Sequence, residues 1–355
     1  MATHTNVNLV PGGVSSTGRA YTIPLPANWS QDSTTERSKQ SESAGTSGRQ
    51  FRFGIISDVQ YANIDDGLSY SKVPRYYRAS RNGLARAVSA WREQQVEWAI
   101  HLGDLVDGFQ PRDESEAALD MLLAEFDRLQ RPHWHVLANH DLYNFPREVL
   151  NRRLGLNTGQ PEGCSYYHWS PHPQWRIVVL DAYDVSVWGW PPEDNRHKEA
   201  LKILERYNPN EDKNNPSGLE GPARRFVQFN GGASATQLGW LRATLADIAA
   251  KGQRAIVCCH VALHPETAVG HCLLWNYQEV LDELQSSNVV VATFAGHAHC
   301  DGQQRDHAGI HHRVLNAIIE TPPDRDCYGW VDVFPDRLEL TGVGELQSST
   351  MSFAA

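Results

Sequence analysis

Residues 52–61, RFGIISDVQY, are an apolar run that stops at a carboxylate. Phe53, Gly54, Ile55 and Ile56 read as a buried strand. Ser57, Asp58, Val59 and Gln60 follow at its end. Residues two apart on an extended chain face the same way. Asp58 and Gln60 are therefore expected to address one common target where the strand meets solvent.

Further along, apolar strand-like runs alternate with helical ones. Strands are expected at 51–57, 98–106, 133–141, 175–184, 254–261, 289–299 and 310–320. A hairpin is expected around Pro335-Asp336-Arg337. Helices are expected at about 76–97, 115–130, 234–250 and 274–286. Ser234 with Gln237 three places on is a capping box for the third, Leu238, Leu241, Leu245 and Ile248 are its apolar stripe, and Gly252 stops it. Alternation of this kind specifies an α/β domain.

Several of these strands end in groups of one chemical kind. The first ends in Asp58 and Gln60, the second in GDLVDG with Asp104 and Asp107, and the third in ANHD with Asn139, His140 and Asp141. Later come His260 after CC, and His297 and His299 in GHAH. Taken singly, each has a plainer reading. Asp58 and Asn139 suit turns, Gln60 suits a polar surface, and His260 suits a satisfied core histidine. Taken in order, each closing an apolar run, they form the oxygen and imidazole set that divalent metals use. Ligands of open α/β sheets gather outside the carboxyl ends of the strands.

Composition sets outer limits. The 355 residues are 41% apolar, enough for a sizeable core, and the formal net charge is −10. An acidic chain lacks the Lys and Arg clusters of nucleic-acid binders, and none of its apolar runs is long enough to span a membrane. Six cysteines without a C-x-x-C pair fit reduced thiols and a cytoplasmic protein, organelle targeting by the leader being left open. Residues 1–49 are rich in Ser, Thr, Asn and Gly and are expected to be a disordered leader. One domain is expected over 50–347, with a lid-like polar insertion at 190–233 and a tail at 348–355.

The order D-x-Q, GDxxDG, NHD, H, GHxH resembles the calcineurin-like metallophosphoesterase superfamily. The usual pattern there reads D-x-H and G-N-H-D/E; here Gln60 replaces the first His and Ala138 the Gly. D-V-Q is similar to the manganese-dependent ADP-ribose/CDP-alcohol diphosphatases within it. The blocks RYYRAS, LDAYDVSVWG, NPN, GLEGP, FVQFNGG and LLWNY strengthen that likeness. The resemblance runs from about residue 52 to 345.

The resemblance implies a four-layer α/β/β/α sandwich with two central mixed sheets. It implies two divalent cations, Mn²⁺ foremost, with Mg²⁺, Fe²⁺ or Zn²⁺ as alternatives. Asp104 would bridge them, Asp58, Gln60 and His299 would complete one site, and Asn139, His260 and His297 the other. His140 would act as acid or stabilise the transition state, with Asp107 orienting it. Tyr70, Arg75, Phe229 and Cys272 would line the nucleotide side, with Tyr70 and Phe229 sandwiching the base. Their plainer readings are core aromatics for Tyr70 and Phe229 and a surface charge for Arg75. The implied reaction is hydrolysis of a nucleoside diphosphate-linked pyrophosphate by a monomer. The alternatives are a cyclic-nucleotide phosphodiesterase, a phosphomonoesterase or a non-catalytic scaffold. Against the scaffold, all seven ligand positions carry usable donors.

Overall fold

Phe51–Ile56 lies in the middle of a six-stranded sheet and is buried along almost its whole length. The computed structural model describes residues 48–156 and 163–354. Apart from residues 48 and 49, the expected leader lies outside them. Across this sheet the strands run Ser349–Ser352, Arg337–Gly344, Cys327–Val333, Phe51–Ile56, Trp98–His101 and His133–His135. The last three are parallel to one another, so their carboxyl ends open on the same side. The second six-stranded sheet runs Gln303–Arg305, His311–Val314, Val290–Ala295, Arg254–Cys258, Trp175–Val179 and Tyr167–His172, and its four middle strands are parallel.

The sheets meet through aromatic rings. Phe53 stacks on Trp98 at 4.3 Å and meets Phe294 of the other sheet edge-on at 6.3 Å. Trp169 of the second sheet stacks on Trp134 of the first at 4.3 Å. Each such pair adds about 0.5–1.5 kcal/mol beyond the area it buries. Helices Ser80–Glu93 and Ser115–Asp127 cover the first sheet, and Ala235–Ala250 and Tyr277–Ser287 cover the second. The architecture is a four-layer α/β/β/α sandwich.

Four local expectations are revised. The run 133–141 is extended only over His133–His135 and becomes the helix Asn139–Asn144. There the Asp104 carboxylate accepts the His140 N–H at 2.8 Å, offering that amide a helix-start partner in place of a strand ladder. The capping box is half formed. Ser234 accepts the Gln237 N–H at 3.1 Å, but the Gln237 amide accepts the Asp181 N–H at 2.8 Å and donates to the Asp181 carbonyl. The polar insertion contains the helix Asn195–Tyr207, which buries Ala200 and Leu204 with Ile203 packed beside them. The tail supplies the edge strand Ser349–Ser352, with Met351 its one buried residue.

Candidate metal centre

The strand ends do not continue as extended chain. Asp58, Gln60, Asp104, His297 and His299 have φ of 51°, 42°, 64°, 64° and 51°. The period-two argument for Asp58 with Gln60, and for the two histidines of GHAH, therefore does not hold: these pairs converge through left-handed turns. Among the described residues nine non-glycine positions have positive φ, and five of them are here. Such backbone costs about 1–2 kcal/mol per residue and persists where the surroundings over-determine it. The surroundings are visible. Asp58 N–H donates to Gly103 O at 3.1 Å, Gln60 N–H to Asp104 O at 2.9 Å and His297 N–H to the Asp58 carboxylate at 3.0 Å. Gly296 is required by close approach, because a Cβ there would collide with Ser57 Oγ and Asp58 Oδ2.

Side chains from both sheets meet above these turns. Gln60 Nε2 lies 3.3 Å from Asp58 Oδ1, 3.1 Å from Asp104 Oδ2 and 3.0 Å from His299 Nε2. His260 Nε2 faces the same Asp104 oxygen, and a donor atom of that carboxylate and one each of His260 and His297 lie within 4.8 Å of one another. Asn139 joins from the third strand end, its Oδ1 accepting Tyr183 OH at 2.9 Å and its Nδ2 donating to Tyr143 OH at 3.1 Å.

Each histidine has one ring nitrogen committed outward. His260 Nδ1 faces Leu102 O at 2.7 Å, His297 Nε2 faces Asn230 Oδ1 at 2.8 Å, and His299 Nδ1 faces Glu320 Oε1 at 2.8 Å. All three partners are acceptors, so those nitrogens carry the protons. The opposite nitrogens face the cluster: His260 Nε2 is 3.3 Å from Asp104, and His299 Nε2 is 3.2 Å from Asp58. Burial lowers the pKa of both imidazoles and the facing carboxylates more than reverse this, to about 9, so these nitrogens carry a second proton whose place a bound cation would take. This is how metal-ligating histidines are held.

The donor set fits divalent cations. Three acceptors converge on the spot where the Gln60 amide nitrogen sits, while its buried Oε1 has no hydrogen-bond partner. Burial pushes the Asp104 carboxyl up, and His260 with His140 more than reverses this, to about 2. Burial likewise opposes ionisation of Asp58, and His299 overrides it, taking the carboxyl well below the ordinary range. Two buried carboxylates therefore stay charged, and buried charges require charged partners or metals. Asp141 braces the loop beneath, accepting the amides of Asp104, Leu105 and Val106 at 3.0, 2.9 and 3.2 Å. Burial and the neighbouring Asp104 push its carboxyl up to about 7.

Residues 51–301 match the calcineurin-like phosphoesterase family. The chain belongs to that family. It is similar to an Arabidopsis thaliana protein named manganese-dependent ADP-ribose/CDP-alcohol diphosphatase, at 46% identity over 86% of this chain and 98% of that one. The human protein of the same name is 36% identical, over 87% of this chain and 94% of its own. A crystal structure of a dimetal phosphatase from Danio rerio superposes with a TM-score of 0.84 at 39% identity, covering 86% of this chain and all of that one.

Within this phosphoesterase fold, His140 follows Asn139 and its Nδ1 lies 3.1 Å from Asp107 Oδ2. The Gly108 N–H also points at this nitrogen, at 3.0 Å. Asp107 Oδ2 makes no aligned hydrogen bond, so its contact with the imidazole is one of charge. Burial lowers the His140 pKa, and Asp104 and Asp107 together raise it above the ordinary value. Arg75 lies 3.5 Å from both Asp107 and Glu320. Phe229 packs beside His297, ring centres 5.8 Å apart, and edge-on to His271 at 6.3 Å. Cys272 is buried, which pushes its thiol well up. Tyr70 is 93% exposed at the tip of the hairpin Gly67–Arg75, so its sandwich with Phe229 is not made in this structure.

Sequence reasoning assigned no role to Asn230, Tyr183, Tyr143 or Glu320. The first two sit in FVQFNGG and LDAYDVSVWG, blocks that carry only the family likeness, and Tyr143 lies two residues beyond NHD. Glu320 closes a run read as a strand and resembles any solvated acid.

Proposed function

We propose that this phosphoesterase hydrolyses the pyrophosphate bond of ADP-ribose and of CDP-alcohols such as CDP-choline and CDP-glycerol, with Mn²⁺ as the preferred cation. The products are AMP or CMP and the phosphorylated alcohol. The observation that carries this reading is the set of three histidines, each anchored at its far nitrogen, with His260 and His297 turned toward Asp104, His299 toward Asp58, and the Asp107–His140 pair alongside. The names and extent of the relatives support the substrate class.

Asp104 would be shared by two cation sites: Asp58, Gln60 and His299 would hold one cation, and Asn139, His260 and His297 the other. When bound, the two cations supply Lewis acidity, drawing charge off phosphoryl oxygens and acidifying the attacking water. Gln60 and Asn139 are neutral donors, so they leave more positive charge facing an anionic pyrophosphate than carboxylates would. The Asp107 carboxylate, 3.1 Å from His140 Nδ1, favours the protonated imidazole by its charge, which leaves Nε2 as the nitrogen that delivers a proton to the leaving oxygen. Phe229 offers a ring face to the nucleotide base, a contact that tolerates both adenine and cytosine because every base has a π-face.

A turnover panel tests this reading. ADP-ribose, CDP-choline, cAMP and a phosphomonoester are compared with Mn²⁺ and with Mg²⁺. The expected order places the two diphosphates first, with Mn²⁺. Turnover dominated by cAMP or by the monoester contradicts it.

A further inference from the structure

Glu320 closes the short turn Ile318–Glu320, and that turn is clamped onto the metal strand. Ile318 N–H donates to Ser57 O at 3.3 Å, and Ile319 N–H donates to Asp58 O at 3.1 Å. The clamp brings Glu320 Oε1 to 2.8 Å from His299 Nδ1. The same oxygen lies 3.5 Å from Arg75 Nε, and Arg75 Nη1 lies 3.5 Å from Asp107 Oδ2. Glu320 and Arg75 are largely screened from solvent, their side chains 15% and 14% exposed. A carboxylate in that position needs a cation beside it, and Arg75 is that cation.

The three histidines differ in what holds them. His260 is held by a backbone carbonyl and His297 by a side-chain amide oxygen. Only His299 is held by a carboxylate. A carboxylate accepting Nδ1–H fixes the tautomer, fixes the ring plane and raises the electron density at Nε2. We infer that Glu320 is a positioning residue that keeps His299 as an Nε2 donor, with Arg75 offsetting its charge. This rests on the dimetal reading above but not on which nucleotide is cleaved.

The test is Mn²⁺ titration of the full chain, read by the electron paramagnetic resonance of free Mn²⁺, with circular dichroism melts alongside. Wild type is expected to bind two equivalents. Glu320→Ala is expected to weaken one of them about 10- to 100-fold and to leave the other within about threefold. Glu320→Gln keeps an oxygen that accepts Nδ1–H, and its weakened equivalent is expected within about threefold of wild type. If the alanine variant does not fold, Glu320→Asp replaces it. It keeps the charge but falls one methylene short of His299, and the same weakening is expected. Wild-type affinity in the alanine or aspartate variant overturns the inference. So does a glutamine variant as impaired as alanine, or two equivalents weakened equally. The substrate reading is decided by turnover and this inference by Mn²⁺ binding, so their failures are distinguishable. A wild-type protein that binds no Mn²⁺ overturns both.

Discussion

Asp58, Asp104 and His260 are wholly buried, whereas Phe109, only two residues beyond Asp107, is 69% exposed and Tyr70 is 93% exposed. The difference extends to how the side chains are held. Asp104 accepts from the His140 amide, faces His260 and has its backbone fixed in a left-handed turn. Tyr70 stands at the tip of a two-residue-per-strand hairpin. The centre is buried and braced by hydrogen bonds, whereas Tyr70 at the rim is exposed on a short hairpin. Substitutions at the centre should therefore change turnover and metal content, and those at the rim should change apparent substrate affinity.

Asp104→Ala should have the largest effect, lowering kcat by about a thousandfold or more, equivalent to several kcal/mol of charge stabilisation. Metal analysis of the same protein should show fewer than two bound Mn²⁺. Retention of both would mean that Asp104 is not shared between them. His140→Ala should come next, lowering kcat about 10²- to 10⁴-fold. Its metal content should match wild type, and loss of metal in this variant would move His140 from proton donor to ligand support. Phe229→Ala should raise KM about tenfold with little change in kcat, since one base stack is worth about 1–3 kcal/mol. Tyr70→Ala should have the smallest effect, within about twofold on KM. A Tyr70 effect equal to that of Phe229 would restore the base sandwich and would show that the hairpin closes over substrate.

Much of the centre was legible because few residue types can ligate a cation and each had to end an apolar strand. Gln60 stood out for the same reason, in a place where histidine is usual. Left-handed backbone at Asp58 or His297 carried no such sign, because Asp and His, although enriched there, adopt it at only a small minority of their positions. Convergence was therefore expected for the wrong geometric reason. The helix Asn195–Tyr207 does carry a helical period in Ala200, Ile203, Leu204 and Tyr207, but that single short stripe is set among polar, Pro- and Asn-rich residues that read as a loop. Asn230 and Glu320 were hidden because they hold ligands without being ligands. Their roles are set by the acceptor at 2.8 Å on the far side of an imidazole, which no spacing along the chain reveals. Tyr70 and Cys272 were hard to assign because their residue types are compatible with many roles, and exposure separates them, Tyr70 standing in solvent and Cys272 buried.

Anomalous diffraction at the manganese edge, on crystals grown with Mn²⁺, tests the central claim most directly. The account predicts two peaks flanking the Asp104 carboxylate, one within bonding reach of Asp58, Gln60 and His299 and the other of Asn139, His260 and His297. A single peak, or peaks away from Asp104, would contradict it.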